Sequence, residues 1–325
     1  MKNATRLFAA LAGVLAISSG TAFAQDSYPN RPIRMMVGFP PGGISDVVAR
    51  AVANEASTVL GQTIVIENRP GAGTTIASDA VAKAKADGYV LLFQDVTTHA
   101  INASLYKKLP YDTVKDFTSV AMVSTTPLLL AVNAASPAKT VKELVGRLHE
   151  KPGVYSYGSS GNGTIIHLAS ELMNRATKSD IVHVPYNGSA APVGGLVAGD
   201  LEYVFSSMPP AISQVQSGKL RGLAVSTPER VEILPEVPTI REAGVPEAEV
   251  ILYSGVLGPA GMPDEVVEKL NGAFAEALKS KRVVDIFRNL GAKPFSVPPV
   301  KMTKLLNQEI SRYGAVIQEA GISIE

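Results

Sequence analysis

The stretch 38-GFPPGGISD-46 joins the apolar run 33-IRMMV-37 to the helical pattern 46-DVVARAVANEASTVLG-61. Glycine lets the backbone approach a ligand closely, and the first turn of a helix carries unpaired N–H groups that attract anions. A strand, a glycine-rich turn and a helix in this order predict an α/β fold whose turn binds a carboxylate or phosphate, with Ser45 or Asp46 as the helix N-cap. The alternative is a purely structural turn before a capped helix.

The alternation of strand and helix patterns continues along most of the chain. Short β-branched or aromatic runs, bounded by Gly, Pro or Asp, are interpreted as strands: 63-TIVIE-67, 89-YVLLFQ-94, 154-VYSYG-158, 181-IVHVPY-186, 201-LEYVFS-206 and 220-LRGLAVS-226. Helical patterns separate them, and residues 263–291 and 302–321 are almost entirely helical. This alternation predicts parallel sheets with helices on both faces.

The length of the chain predicts two lobes, because 325 residues exceed what a single hydrophobic core usually serves. Two long apolar segments, 119–133 and 250–261, are candidate crossings between them. On this interpretation residues 25–125 and 250–325 form lobe I, which is discontinuous, and residues 126–249 form lobe II.

The N-terminus has the three parts of a secretory signal peptide. Lys2 and Arg6 precede the apolar run 7-LFAALAGVLAI-17, and 22-AFA-24 is a cleavage pattern. We expect residues 1–24 to be removed before Gln25; a buried N-terminal helix is the alternative. The chain has no cysteine, which excludes disulfides, thiol chemistry and a lipidated cysteine anchor. A freely diffusing protein of a bacterial periplasm fits these features best.

Composition and motifs argue against several other functions. Thirty basic and 29 acidic residues give no electrostatic case for binding nucleic acid or an anionic membrane. The four histidines lack the spacing of metal ligands, so no metal is expected. No cofactor is expected either, since 71-GAGTTI-76 lacks the last glycine of a dinucleotide fingerprint and no phosphate-binding P-loop occurs.

A second glycine-rich turn, 158-GSSGNGTIIHL-168, has the same design as the first and falls in the other predicted lobe. Two such turns facing each other would clamp a small anion between hinged lobes. An exported serine hydrolase is the alternative, with Ser159 or Ser160 paired to His99 or His167. It lacks the G-x-S-x-G elbow, because the final position is Asn162. Asp95 either lies outside the pocket or holds a hydroxyl or ammonium group of the ligand.

Several segments together resemble the Bug family, the TctC-type periplasmic solute-binding proteins of tripartite tricarboxylate transporters. They are 28-YPNRPIRMMVGFPPGGISDVVAR-50, 67-ENRPGAG-73, 86-ADGY-89, 98-THAIN-102, 104-SLYKKLPYD-112, 157-YGSSGNGTIIHL-168, 184-VPYNGSA-190 and 235-PEVPTIREAG-244. The resemblance implies a type II periplasmic binding fold, in which two α/β lobes close on a solute that bears a carboxylate. It implies a receptor rather than an enzyme.

The resemblance also indicates which residues bind the ligand. The turns matching Phe39 to Ser45 and Ser159 to Thr164 grip a carboxylate in the family, and the positions matching Thr97 to His99, Tyr186 and Gly188 line the cleft. The chain departs from many relatives at Asp95-Val96 and at Ser206-Ser207-Met208, which affects the rest of the ligand. The candidate ligand-binding residues are Phe39, Gly42, Gly43, Ser45, Thr97, Thr98, His99, Ser159, Ser160, Gly163, Thr164, Tyr186, Gly188, Ser206 and Ser207.

The resemblance further implies the partners. We expect a monomer that delivers its carboxylate to a membrane permease of the tripartite tricarboxylate type. The alternative is a ligand-sensing role, in which the loaded protein docks on the ectodomain of a sensor kinase.

Overall fold

A computed structural model describes residues 28–320, so the predicted signal peptide and its cleavage before Gln25 lie outside the described residues. The described chain is an α/β protein with two separate sheets, one of six strands and one of five. None of its helices combines the length and the hydropathy that crossing a membrane requires.

The first sheet is built from the beginning and the end of the chain. Its spatial order is β11-β4-β10-β3-β1-β2, with β1 Ile33–Val37, β2 Ile64–Asn68, β3 Val90–Asp95, β4 Phe117–Thr126, β10 Leu252–Pro259 and β11 Lys293–Pro294. Strand β1 pairs in parallel with β2 and β3, whereas β10 runs antiparallel to β3 and β4. The sheet and the helices that cover it are called the first lobe below.

The second sheet is built from the middle of the chain and, with the helices that cover it, forms the second lobe. Its order is β7-β6-β8-β5-β9, with β5 Leu128–Asn133, β6 Ser156–Ser159, β7 Val182–Pro185, β8 Tyr203–Ser207 and β9 Leu220–Val225. Strand β6 is parallel to its neighbours, but β5 is antiparallel to β8 and β9. The expectation of parallel sheets is therefore correct for β1 to β3 and for β6 to β8. It is wrong at β10 and β5, the strands by which the chain enters each sheet from the other lobe.

Ten α-helices cover the sheets within the described residues. They are α1 Ile44–Leu60, α2 Thr75–Ala82, α3 Val96–Leu105, α4 Val141–Glu150, α5 Ile165–Thr177, α6 Ala190–Ala198, α7 Met208–Gln216, α8 Asp264–Ala277, α9 Lys281–Asn289 and α10 Pro299–Ala320. Helix α1 buries Val48, Val52 and Ala56 at intervals of four residues, which place them on one face, and ends at Gly61 with φ 68°. The helical pattern 263–291 divides into α8 and α9, since Ser280 caps the second helix by accepting from the N–H of Val283.

The chain passes between the two sheets through closely tied segments. It leaves the first sheet at Thr126, enters the second at Leu128, and returns along residues 226–251. Ser226 holds the outgoing and returning segments together, because its hydroxyl accepts from the N–H of Leu128 and donates to the carbonyl of Val250. The boundaries near 125 and 250 stay predictions of where the lobes divide. The first turn, Phe39–Ser45, and the start of α3 both follow strands of the first sheet and face the second lobe.

Candidate ligand-binding site

An enclosed cavity of about 50 Å³ lies between the two lobes. Both lobes contribute to its wall, which is formed by Phe39, Pro40, Pro41, Gly43, Ile44, Ser45, Asp95, Ser160, Ile165, Ile166, Asn187, Gly188, Ser189, Ala190, Ser207 and Leu252. No lysine, arginine or histidine of the described chain is among these residues. An anion bound here has to rely on backbone N–H groups and hydroxyls.

The start of α1 supplies such N–H groups. Its N-cap is Gly43, an extended residue (φ −75°, ψ 169°) without a side chain, so no side-chain cap accepts from the first turn. Gly43, Ile44 and Ser45 all line the cavity. The expectation that Ser45 or Asp46 is the N-cap was wrong, since both residues lie inside the helix. The uncapped turn concentrates the partial positive charge of the helix on the cavity.

Asp46 supports this turn from the side. One carboxylate oxygen accepts from the N–H of Gly42 at 3.0 Å, and the other accepts from Arg50 and from Asn68, each at 2.9 Å. Burial opposes ionisation of Asp46, but the hydrogen bonds from Arg50, Gly42 and Asn68 outweigh it and lower its pKa. The carboxylate is thus charged and held by three donors. It fixes the turn without competing for the first-turn N–H groups.

The opposite wall comes from the starts of α6 and α7. Their N-caps are Ser189 and Ser207, whose hydroxyls bond to each other at 2.8 Å and do not cap their own helices. The lobes are in close contact here. A Cβ on Gly188, which has φ 83°, would lie 3.1 Å from Cγ of Pro40 in the other lobe. Only glycine fits this backbone and this spacing.

The second glycine-rich turn has a different role from the first. The N–H of Gly163 donates to Nδ1 of His167 at 3.3 Å, and Thr164 is a true N-cap that accepts from the N–H of His167. The N–H of Ile165 donates to Oγ1 of Thr98 in the other lobe at 3.2 Å. Of the predicted residues in this turn only Ser160 lines the cavity, where its hydroxyl donates to Thr164. Most of the backbone N–H groups at the start of α5 therefore already donate to bonds within the turn or to the bond between the lobes.

Thr97, Thr98 and His99 lie in the first turn of α3 and do not line the cavity. Thr97 is buried at the crossing, where its hydroxyl donates to the carbonyl of Ile251 and accepts from the N–H of Tyr253. His99 is fully buried inside the first lobe, stacked on Tyr111, with Nε2 3.1 Å from the carbonyl of Thr113. Burial lowers the pKa of His99 to about 4, so the ring is neutral. The ring of His99 therefore packs inside the first lobe and is not among the residues that line the cavity.

A more open groove adjoins the cavity and is lined by Phe39, Gly71, Thr74, Tyr106, Ser160, Asn162, Thr164, Tyr186 and Asn187, among others. Three lining residues, Phe39, Ser160 and Asn187, belong to the groove and the cavity alike. Tyr186 and Thr164, predicted for the ligand, lie only in this groove.

Six of the fifteen predicted ligand-binding residues are among those that line the cavity: Phe39, Gly43, Ser45, Ser160, Gly188 and Ser207. Gly42, Thr97, Thr98, His99, Ser159, Gly163 and Ser206 are not among them. The role of all these residues in ligand binding stays a prediction. Gly42 shapes the first turn through its φ of 84°. Asn187, Ser189 and Ala190 also line the cavity and were not predicted. Their signal was the glycine and serine of 184-VPYNGSA-190, which precede a helical pattern as N-cap residues do.

Ser159 forms a pair with a histidine that the sequence did not single out. Its hydroxyl lies 2.7 Å from Nε2 of His183, whose ring stacks on those of His167 (4.1 Å between centroids) and Tyr157 (4.9 Å). Burial lowers the pKa of His167 and of His183 to about 4. Ser159 is completely buried and outside the cavity, so the pair cannot reach a substrate. Across residues 28–320 no three potential metal ligands converge.

Two α/β lobes that close over a cavity at uncapped helix starts define a two-lobed solute-binding protein. The chain belongs to the TctC family, described as the tripartite tricarboxylate transporter family receptor, whose model matches residues 48–322. A UPF0065 protein from the tcbD–tcbE intergenic region of Pseudomonas sp. is 37% identical over 97% of this chain and 94% of its own. Protein BugT of Bordetella pertussis is 36% identical over 99% of this chain and all of its own.

Solved structures share the fold along almost the whole chain. One described as a periplasmic transporter is 39% identical with a TM-score of 0.88, covering 92% of this chain and 100% of that one. Rpa4515 of R. palustris with adipate is 35% identical (TM-score 0.87; 91% and 99% covered). MatC of Rhodopseudomonas palustris with malate is 34% identical (TM-score 0.84; 89% and 100% covered). The predicted family, two-lobed fold and class of solute-binding receptor, rather than enzyme, are confirmed.

Proposed function

We propose that this protein is a periplasmic receptor that captures a small organic carboxylate between its lobes and delivers it to a membrane permease of the tripartite tricarboxylate type. The observation that carries the proposal is the uncapped first turn of α1, which presents its N–H groups to an enclosed cavity between the lobes. The structures of two relatives hold dicarboxylates, adipate and malate, which supports the same ligand class.

The chemistry of the cavity favours a carboxylate that is recognised by shape. A carboxylate has two oxygens that can accept from neighbouring N–H groups of a helix start, and the hydroxyl of Ser45 can donate from the side. With no basic side chain on the wall, the negative charge of a ligand alone contributes little to its selection. The ligand must instead fit the arrangement of donors and the apolar surface of Ile165, Ile166 and Leu252.

A thermal-shift screen over a library of carboxylic acids tests this function. A ligand that binds only the folded state at about 100 times its Kd stabilises the protein by about 2.7 kcal/mol, which raises the melting temperature measurably. The matched control is the primary amide of each acid, which has the same skeleton and no negative charge. Acids that shift the melting temperature while their amides do not support the proposal. A library without a single shift contradicts it.

The location, oligomeric state and partner belong to the same proposal. We expect residues 1–24 to be removed before Gln25 during export, and fractionation with N-terminal sequencing of the mature protein checks both points. Light scattering should show a monomer. A deletion strain should lose uptake of the identified acid. If uptake persists and only the expression of target genes is lost, the partner is a sensor kinase instead of a permease.

A further inference from the structure

Asp95 is the only ionisable side chain on the cavity wall, among the lining residues of the described chain. It is the last residue of β3 and the N-cap of α3, and only 1% of its surface is exposed. A buried carboxylate in a site for carboxylates is unexpected, because two like charges in a medium of low dielectric constant repel strongly. Its position therefore bears on which acids the site accepts.

The hydrogen bonds of Asp95 leave it one free acceptor position. Oδ1 accepts from the N–H groups of Thr97 and Thr98, each at 3.1 Å, and Oδ2 accepts from the hydroxyl of Thr98 at 2.6 Å. A carboxylate offers about four lone-pair sites, so these three donors leave one on Oδ2. A donor from a bound ligand can complete the set.

The surroundings of Asp95 add no positive charge that would offset its own. Glu309 and Tyr313, on α10, are the other ionisable groups whose fields reach it. Desolvation and Glu309 raise the pKa of Asp95 to about 6, against the hydrogen bonds from Thr98 and Thr97. In its ionised form the group attracts a hydrogen-bond donor and repels a second carboxylate.

Asp95 lines the same cavity as the start of α1. Gly43, Ile44 and Ser45 share the cavity wall with Asp95 and with the apolar side chains of Ile165, Ile166 and Leu252. A ligand whose carboxylate sits on the start of α1 therefore has Asp95 and the apolar wall as neighbours. On this basis, and given the proposed function, we propose that Asp95 selects carboxylates that carry a hydroxyl or ammonium donor at their other end and excludes unsubstituted α,ω-dicarboxylates.

Matched sets of acids test this specificity by calorimetry on the full-length mature protein. At each chain length from three to six carbons the set contains the unsubstituted acid, the ω-hydroxy acid, the ω-amino acid and the α,ω-dicarboxylate. At the chain length that binds best, the hydroxy or amino acid should bind at least about 10-fold more tightly than the unsubstituted acid and the dicarboxylate. The unsubstituted acid leaves Asp95 unpaired, and the dicarboxylate places a like charge next to it. A dicarboxylate that binds as tightly as the hydroxy and amino acids overturns the proposal.

The variant Asp95→Asn separates specificity from folding. Asparagine keeps the N-cap of α3 and nearly the same volume but removes the charge. The preference over the dicarboxylate should fall at least about fivefold in this variant, while Asp200→Asn, an exposed change in the second lobe, leaves it unchanged. An unaltered preference in Asp95→Asn assigns the selection to another residue and overturns the proposal. If no acid of the sets or of the wider library binds, the proposed function itself fails, and the role of Asp95 fails with it.

Discussion

The two glycine-rich turns look alike in the sequence but use their backbone donors differently. The first turn ends in Gly43 and leaves the start of α1 without a side-chain cap. The second turn has Thr164 as an N-cap, a bond from Gly163 to His167, and a bond from Ile165 to Thr98 of the other lobe. The first turn is open to an anion, whereas the second holds the lobes together.

The difference shows that a glycine-rich turn before a helix is not sufficient evidence of an anion site. What matters is whether a side chain already satisfies the orphan N–H groups of the helix. At α1 the acid in the first turn, Asp46, accepts hydrogen bonds from Gly42, Arg50 and Asn68. It therefore stabilises the turn without bonding to the orphan N–H groups of the helix. At α5 a threonine and a histidine occupy the donors.

The largest effect is expected from Gly43→Leu, which fills the cavity beside the open turn. A Cβ at Gly43 meets only the carbonyl of Pro40 at 3.7 Å and the hydroxyl of Ser189 at 3.9 Å, and its φ is negative, so the fold accommodates a side chain. The rest of a leucine side chain has to enter the cavity. Binding of the best acid from the thermal-shift screen should weaken at least ~100-fold, about 3 kcal/mol, in calorimetry.

Two controls accompany this change. Gly43→Ala adds only the Cβ, and should keep binding within a few-fold of the unmodified protein. Gly146→Leu, on α4, adds the same side chain where nothing lies within 4 Å, and should change nothing. Binding by Gly43→Leu at unchanged affinity would show that the ligand does not occupy the space beside α1.

The open first turn was predictable from the sequence to a large extent. The strand 33-IRMMV-37 matches β1 residue for residue, and the run of Pro and Gly after it correctly marked the turn. The assignment of the cap failed, because Ser45 and Asp46 are both favoured N-cap residues and local preference cannot tell that the helix starts two to three residues earlier. The direction of β5 and β10 also escaped prediction, since the pairing of strands distant in sequence leaves no local pattern.

The second turn was harder to interpret because its bonds depend on tertiary structure. No periodicity places Thr98 against Ile165, which are 67 residues apart, or stacks His183 on His167. His99 illustrates the same limit, since a polar residue after a strand indicated a pocket but packs between Tyr111 and Phe117. Family resemblance gave the correct motifs, and only the fold shows which of their side chains face the cavity.

A decrease in pH should lower the stability of the folded protein by an intermediate amount, through the second glycine-rich turn. His167 accepts from the N–H of Gly163 only when Nδ1 is unprotonated. Burial lowers its pKa to about 4, and His183, Glu171 and Tyr157 are the titratable groups beside it. The unfolded chain takes up this proton near pH 6.5 but the folded chain only near pH 4. Stability is therefore complete above pH 6.5 and decreases toward pH 4, by about 2 kcal/mol at pH 5 for this group.

Melting curves from pH 7.5 to pH 4.5 measure this loss. His167→Gln removes the titration and should make the melting temperature depend less on pH over this range, although His183 still contributes. The matched control is His149→Gln, at the exposed end of α4, which should leave the pH dependence as it is. Equal slopes in the His167→Gln variant and the unmodified protein would mean that the buried ring does not govern the acid sensitivity of the second turn.

The smallest effect is expected from Thr98→Val, which removes the bond between the lobes but keeps the shape of the side chain. Thr98 accepts from the N–H of Ile165 and donates to Asp95, so the change leaves one buried donor of the second lobe unpaired when the lobes close. A lost hydrogen bond of this kind costs about 1 kcal/mol, which corresponds to roughly fivefold weaker binding. Thr118→Val, which removes a hydroxyl bonded to Pro259 within the first lobe, provides the comparison and should lower stability without weakening binding. If the two variants bind equally well, the bond from Ile165 to Thr98 does not contribute to closure, and the second turn is only a structural cap.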